Sequence, residues 1–260
     1  KLLANALFES EGPTARTLAE AEKSIAILAP LPPVSDNADT WRRAATWYMA
    51  KGDPPSLARA LVLLQRCRAI VAAQADAARA LPTTPADDPI FAAPADVDRM
   101  IAGLQLRLGN GAAALDTASR AVDADPSNPA AWSQYADALA LSGRTDDALA
   151  ALMEGVLLTA DPALRRRVVE GYQHGAPGGC ALLPGQNGSP ALNPACPEVH
   201  RYICLATARA IALRLRAGRS DLAAQLRDAG LHSFGCDAAS LDPASPPPST
   251  APRTGTPAPR

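Results

Sequence analysis

The chain has 260 residues, of which 48% are hydrophobic and only 4% aromatic, and its formal net charge is −1. That length suits one elongated domain or two small ones, and an apolar content dominated by alanine and leucine suits close-packed helices better than sheets. The near-zero charge excludes a global field for nucleic acid or acidic membranes, and no apolar run approaches the roughly 20 residues that a bilayer-crossing helix needs.

The chain opens on Lys1, part-way into an amphipathic pattern, and reads as a processed or partial product. Residues 1–81 hold two loosely related helical units. A fragmentary one lies around Gly12, Ala21, Ile25 and Pro30. The next reads Trp41, Ala45, Tyr48 and Gly52, then Ala60, Leu64 and Cys67 after a three-residue insertion that includes Pro54-Pro55. Its second helix is expected to continue through Val71 to about Ala80. Residues 82–94 form a proline-rich loop, long enough to be a hinge between stacks or a strap along one face.

Residues 95–174 carry the clearest periodicity. Small residues fall at Ala102, Gly109, Ala114 and Ala121, with Pro126 closing the unit. Adding 34 to each gives Ala136, Gly143, Ala148 and Gly155, with Ala160 where the proline stood and Pro162 two residues later. A helical hairpin needs a small residue where its helices cross, a turn glycine, and small residues where the next hairpin packs. An oversized side chain at such a place costs about 1–3 kcal/mol.

In these residues the chain resembles the tetratricopeptide repeat family. Trp132, Tyr135, Ala136, Gly143, Ala148 and Leu152 follow the family pattern, and so do Ala102, Gly109, Ala114, Ala121 and Pro126, although Asp98 stands where the tryptophan would be. The resemblance implies an all-α fold, a right-handed α-solenoid of helical hairpins. It also implies a partner-binding groove on the concave face of the first helices. Carried across position by position, that groove comprises Asp39, Arg42 and Thr46; Asp96, Arg99, Leu106 and Arg107; and Ser133, Asp137 and Leu141. The lysine–asparagine clamp that some members use for a C-terminal carboxylate is missing, its places holding Arg42 with Thr46, Arg99 with Gly103, and Ser133 with Asp137.

After a helix near Pro162–Gln173, residues 175–197 are dense in Gly, Pro and Asn and are expected to lack regular structure. A helix from Glu198 to about Ala217, a turn at Gly218 and a helix to about Leu231 make residues 198–236 a degenerate last hairpin, the usual cap of a solenoid. Four of the five cysteines lie in this region, Cys180, Cys196, Cys204 and Cys236, and read as two disulfides formed in an oxidising compartment. Cys204 lies fourteen residues before Gly218 and Cys236 eighteen after it, so the hairpin brings them side by side. Cys196 and Cys204 are separated by most of two helical turns, beyond the roughly 4.4–6.8 Å Cα separation of a disulfide. The expected bridges are therefore Cys204–Cys236 and, by elimination, Cys180–Cys196. Cys67 is left as a buried free thiol.

The competing reading is a metal held by His200, Cys204, His232 and Cys236, each His–Cys pair spaced i, i+4. It lacks the short C-x₂-C spacing of a zinc site, and Gly235 interrupts the second helix. The tail, residues 237–260, is rich in Pro, Ser and Thr, and from Ser240 onward its composition suits an extended polyproline-type chain. Asn187-Gly188-Ser189 is a short glycosylation sequon followed by Pro190.

Nothing in the sequence supports catalysis. The three histidines, His174, His200 and His232, sit in no nucleophile-elbow, phosphate-loop or HExxH setting. Asp146-Asp147 suit the start of a repeat's second helix, and Arg165-Arg166-Arg167 suit a solvated helix face. Trp41, Trp47 and Trp132 suit packing. The expectation is a non-enzymatic scaffold with no cofactor and no metal. It would bind protein partners, copies of itself among them, and not nucleic acid, and would work outside the cytoplasm in the periplasm, at the cell surface or as a secreted protein. The charge distribution carries an alternative. Residues 83–161 hold twelve acids against four arginines, a net of −8, and residues 162–231 hold nine arginines against four acids, a net of +5. A subunit that self-assembles head to tail is the second expectation.

Overall fold

The computed structural model describes residues 2–81, 83–84, 88–174, 182–184, 190–193, 195–216 and 218–242. The helices are α1 (Leu2–Glu11), α2 (Ala15–Leu28), α3 (Ala38–Lys51), α4 (Pro54–Arg79), α5 (Ala93–Arg107), α6 (Gly111–Ala124), α7 (Pro129–Leu141), α8 (Thr145–Thr159), α9 (Pro162–His174), α10 (Pro197–Arg216) and α11 (Ser220–His232). Two compact units divide between Arg165 and Arg166, so that α9 begins in the first and ends in the second.

In the first unit each helix packs on its chain neighbour: α3 on α4, α4 on α5, α5 on α6, α6 on α7 and α7 on α8. That nearest-neighbour order defines an α-solenoid. Local chemistry places the helix ends. The insertion at Pro54-Pro55 begins α4, where proline's fixed φ and missing N–H cost nothing, and the Asp53 carboxylate accepts from Ser56 N at 2.8 Å. Asn128 caps α7 ahead of Pro129 by accepting from Ala130 N at 3.1 Å. The turn glycines Gly109 and Gly143, 34 residues apart, have φ of 74° and 76°, a region other residues rarely occupy. The core holds Ala45, Ala60, Leu63, Leu64, Ile70 and Leu104, all fully enclosed. Trp47 belongs to it and stacks on Phe8 with ring centroids 5.0 Å apart. Cys67 is buried there as a free thiol, and burial pushes its pKa up to about 11, which leaves it an unreactive apolar group at neutral pH.

A polar brace joins α2, α3 and α4. Arg59 grips Glu22 through Nε at 2.8 Å and Nη2 at 2.5 Å, and Tyr48 Oη donates to the same carboxylate at 2.8 Å. The Arg59 hydrogen bond, aided by Tyr48 and opposed by partial burial, holds the Glu22 carboxyl below its ordinary 4.5. A lowered folded-state pKa means the brace contributes fully above about pH 4.5 and is lost as pH falls through the lower folded value. Glu22→Gln is therefore expected to cost about 0.5–1 kcal/mol near neutral pH and nothing in strong acid. Denaturant midpoints measured across pH 2–7 check this: the wild-type and variant curves should converge on the acid side.

The second unit contains α10 and α11, antiparallel and joined by the turn at Gly218. Cys204 and Cys236 form the expected disulfide, with Cα atoms 5.6 Å apart. Cys196 is also disulfide-bonded; its expected partner Cys180 lies outside the described residues, as do the sequon and residues 243–260. Two expectations are corrected here. The Gly/Pro segment is not wholly irregular, because β1 (Leu182–Pro184) and β2 (Pro190–Leu192) pair antiparallel, Leu183 opposite Ala191. The tail also begins later than composition implied. Leu241 is fully buried against Gly230, where a Cβ would come within 2.7 Å of Leu241 Cδ1, and Arg227 Nη2 donates to the Leu241 carbonyl at 3.3 Å.

Candidate protein-binding groove

Three anchors fix the first helices of the hairpins. On α3, Trp41 Nε1 donates to both carboxylate oxygens of Asp36 at 3.1 Å, and Arg66 of α4 reaches Asp36 at 3.1 Å while lying over the Trp41 ring. On α7, Trp132 is fully buried and its Nε1 donates to the Pro126 carbonyl at 2.9 Å. The indoles thus tie each helix to the segment that leads into it. In α5 Asp98 takes the tryptophan's place, and an ionic anchor replaces the aromatic one. Its side chain is 3% exposed and accepts from Arg68 Nε of α4 at 2.9 Å, with Arg120 Nη2 of α6 at 3.5 Å. A carboxylate so enclosed is stable only when paired. It therefore clamps α5 between its two neighbouring second helices.

These anchors leave the outer faces of α3, α5 and α7 to solvent. Arg42, Thr46, Asp96, Arg107 and Leu141 are exposed, and Asp39, Arg99, Leu106, Ser133 and Asp137 are half-buried. None belongs to the enclosed core. Asp39 holds Arg42 at 3.0 Å and Arg43 at 2.8 Å, and Thr46 Oγ1 donates to the Arg42 carbonyl. Arg107 reaches back to the Met49 carbonyl at 3.5 Å, which links the end of α5 to α3. At the α5–α7 crossing, a Cβ on Gly103 would lie 2.8 Å from Gln134 Nε2. Leu141, at 52% exposure, supplies the apolar surface of this face. Among the described residues Arg99 Nε, 3.9 Å from Asp96 Oδ1, and Gln134 Oε1 find no hydrogen-bond partner. The arrangement offers cations, carboxylates, an amide and the apolar side chains of Leu106 and Leu141, groups suited to non-covalent recognition.

The four-ligand metal set is not assembled. Cys204 and Cys236 are bonded to each other, and His232, 74% exposed, pairs with Asp228 at 3.4 Å. The acids at the start of α8 are where helix polarity favours them, Asp147 also accepting from Arg144 at 2.7 Å. Asp36 and Asp98 are the anchors that reading the sequence missed. For Asp98 the available signal was an acid in a core position.

Residues 105–166 match the family model of the tetratricopeptide repeat. This stretch, from the end of α5 through the first turn of α9, is similar to tetratricopeptide repeats, which are modules for protein–protein interaction. No curated protein matches the chain. No helix among the described residues is long and apolar enough to cross a membrane.

Proposed function

We propose that the protein is a non-enzymatic scaffold or adaptor that holds protein partners on the solvent-facing side of α3, α5 and α7, and that it acts outside the cytoplasm. The in-register pair of hairpins α5–α6 and α7–α8 carries this reading, since it presents a polar face with Arg107 and Leu141 exposed beside one another's helices. The Cys204–Cys236 bridge supports the location, because such bonds persist in oxidising compartments. A photo-crosslinking residue placed at Leu141 should capture a defined partner that the same residue at Asp123 of α6 does not. Equal capture from both positions would count against the groove.

The charge asymmetry of the sequence favours a second reading, a subunit that assembles with copies of itself. Its acidic middle and basic C-terminal part would attract one another at low salt and separate as salt screens them. Light scattering of the concentrated protein at low and high salt distinguishes the readings. Salt-reversible assembly supports the second, and a monomer at high concentration in low salt removes it.

A further inference from the structure

His200 stands one helical turn before Cys204 on α10, and both of its ring nitrogens lie 4.0 Å from Cys204 Sγ. One ring nitrogen of His200, Cys204 Sγ and Cys236 Sγ make a set of three ligand atoms, all within 4.8 Å of one another. His200 Nε2 is 2.8 Å from the Phe234 carbonyl oxygen. A carbonyl only accepts, so Nε2 carries the proton, and in the neutral ring Nδ1 keeps its lone pair. Histidines that ligate metals commonly hold their other N–H on a backbone carbonyl or carboxylate in this way, which fixes the tautomer. The turn after α11 supplies both that acceptor, at Phe234, and the ligand atom, at Cys236. It is folded by Phe234 N donating to Ala229 O at 3.0 Å and Cys236 N to Gly230 O at 2.9 Å. Tetrahedral zinc, with bonds of about 2.3 Å to sulfur and about 2.0 Å to nitrogen, sets its sulfur and nitrogen ligands roughly 3.6 Å apart and two sulfurs roughly 3.8 Å apart. The His200–Cys204 separation is already close to that, and side-chain rotation at two cysteines whose Cα atoms are 5.6 Å apart supplies the rest.

We propose that Cys204–Cys236 is the oxidised state of a thiophilic metal site. When the bond is reduced, His200 Nδ1 and the two thiolates hold one soft divalent ion of the zinc type, with water in the fourth position. Reduction by a trialkylphosphine transfers an electron pair to the two sulfurs and the oxygen of one water to phosphorus, and that water's two protons give two thiols. Binding of the ion as a dithiolate then releases two protons to solvent. Re-oxidation by an acceptor disulfide removes the electron pair, re-forms the S–S bond and expels the ion. Metal and disulfide are alternative pins for one cap.

The test uses the full chain, oxidised or reduced under anaerobic conditions and freed of reductant, titrated with Zn²⁺ against a chromophoric chelator and with Co²⁺ to read thiolate-to-metal absorption. One zinc per reduced chain is expected at this site, absent from the oxidised chain and lost in the double variant Cys204→Ser, Cys236→Ser. His200→Ala should bind at least about tenfold more weakly, since even outer-shell partners are worth roughly 10–100-fold. His232→Ala should bind as the wild type does. Circular dichroism of each form reports whether the hairpin is kept. The proposal is overturned by a reduced chain that takes up no zinc, by zinc retained in full by the double serine variant, by undiminished binding in His200→Ala, or by helix lost on reduction that Zn²⁺ does not restore.

Discussion

Arg68→Ala is expected to lower stability by about 3 kcal/mol, and adding Asp98→Ala is expected to recover part of that loss. Removing one member of a buried ion pair costs about 3–5 kcal/mol because the other charge is left in a poor solvent. The lower end applies because Arg120 still lies 3.5 Å from Asp98. Asp98 is the enclosed member, whereas the Arg68 side chain is 31% exposed and rehydrates once its partner is gone. Asp98→Ala alone should therefore cost less than Arg68→Ala, about 1–3 kcal/mol. Guanidinium denaturation of the two single variants and the double variant measures the asymmetry. A double variant whose loss equals the sum of the two single losses would mean that Asp98 is not held by Arg68.

Trp132→Ala should cost about 3–5 kcal/mol, the usual range for truncating an enclosed aromatic. The indole is fully buried, and its Cβ and Cγ lie so close to Gly155 that a Cβ there would come within 2.8 Å of them. Its loss would leave a cavity between α7 and α8 and strip the Pro126 carbonyl of its donor. Trp132→Phe keeps most of the volume and loses the hydrogen bond, so about 1–2 kcal/mol is expected. Denaturation midpoints, with limited proteolysis of the 125–162 region, check both. A Phe variant as damaged as the Ala variant would show that the indole N–H, and not packing, holds the helix.

The parts of this fold visible in the sequence are those that obey a spacing. Gly109 and Gly143, Ala102 and Ala136, and Ala121 and Gly155 keep a common register because each hairpin repeats the same crossings and turns. The Cys204–Cys236 pairing was visible for the same reason, since counting residues from the Gly218 turn measures distance along two antiparallel helices. The missed features depend on partners far apart in the chain. Asp98 meets Arg68 from the preceding hairpin, and Glu22 meets Tyr48 and Arg59, 26 and 37 residues away. No local pattern reports such meetings. Leu241 was misjudged because a Pro- and Ser-rich composition describes the tail on average, whereas one leucine over Gly230 suffices to seat its first residues. The candidate groove rests on family resemblance alone, because its exposed residue types, such as Arg107 and Leu141, change from one hairpin to the next.

The central claim is that partners bind the face formed by α3, α5 and α7. It is tested most directly by measuring the affinity of the crosslinked partner for the chain carrying Arg107→Glu together with Leu141→Asp, against a chain carrying Asp123→Lys on α6. Truncated or reversed anchors of this kind cost about 2 kcal/mol or more at a binding centre, so affinity should fall by roughly 30-fold or more for the groove variant. It should stay within about threefold of wild type for the α6 variant, which changes a charge away from the binding centre. An unchanged affinity in the groove variant, with its helix content intact, would contradict the account.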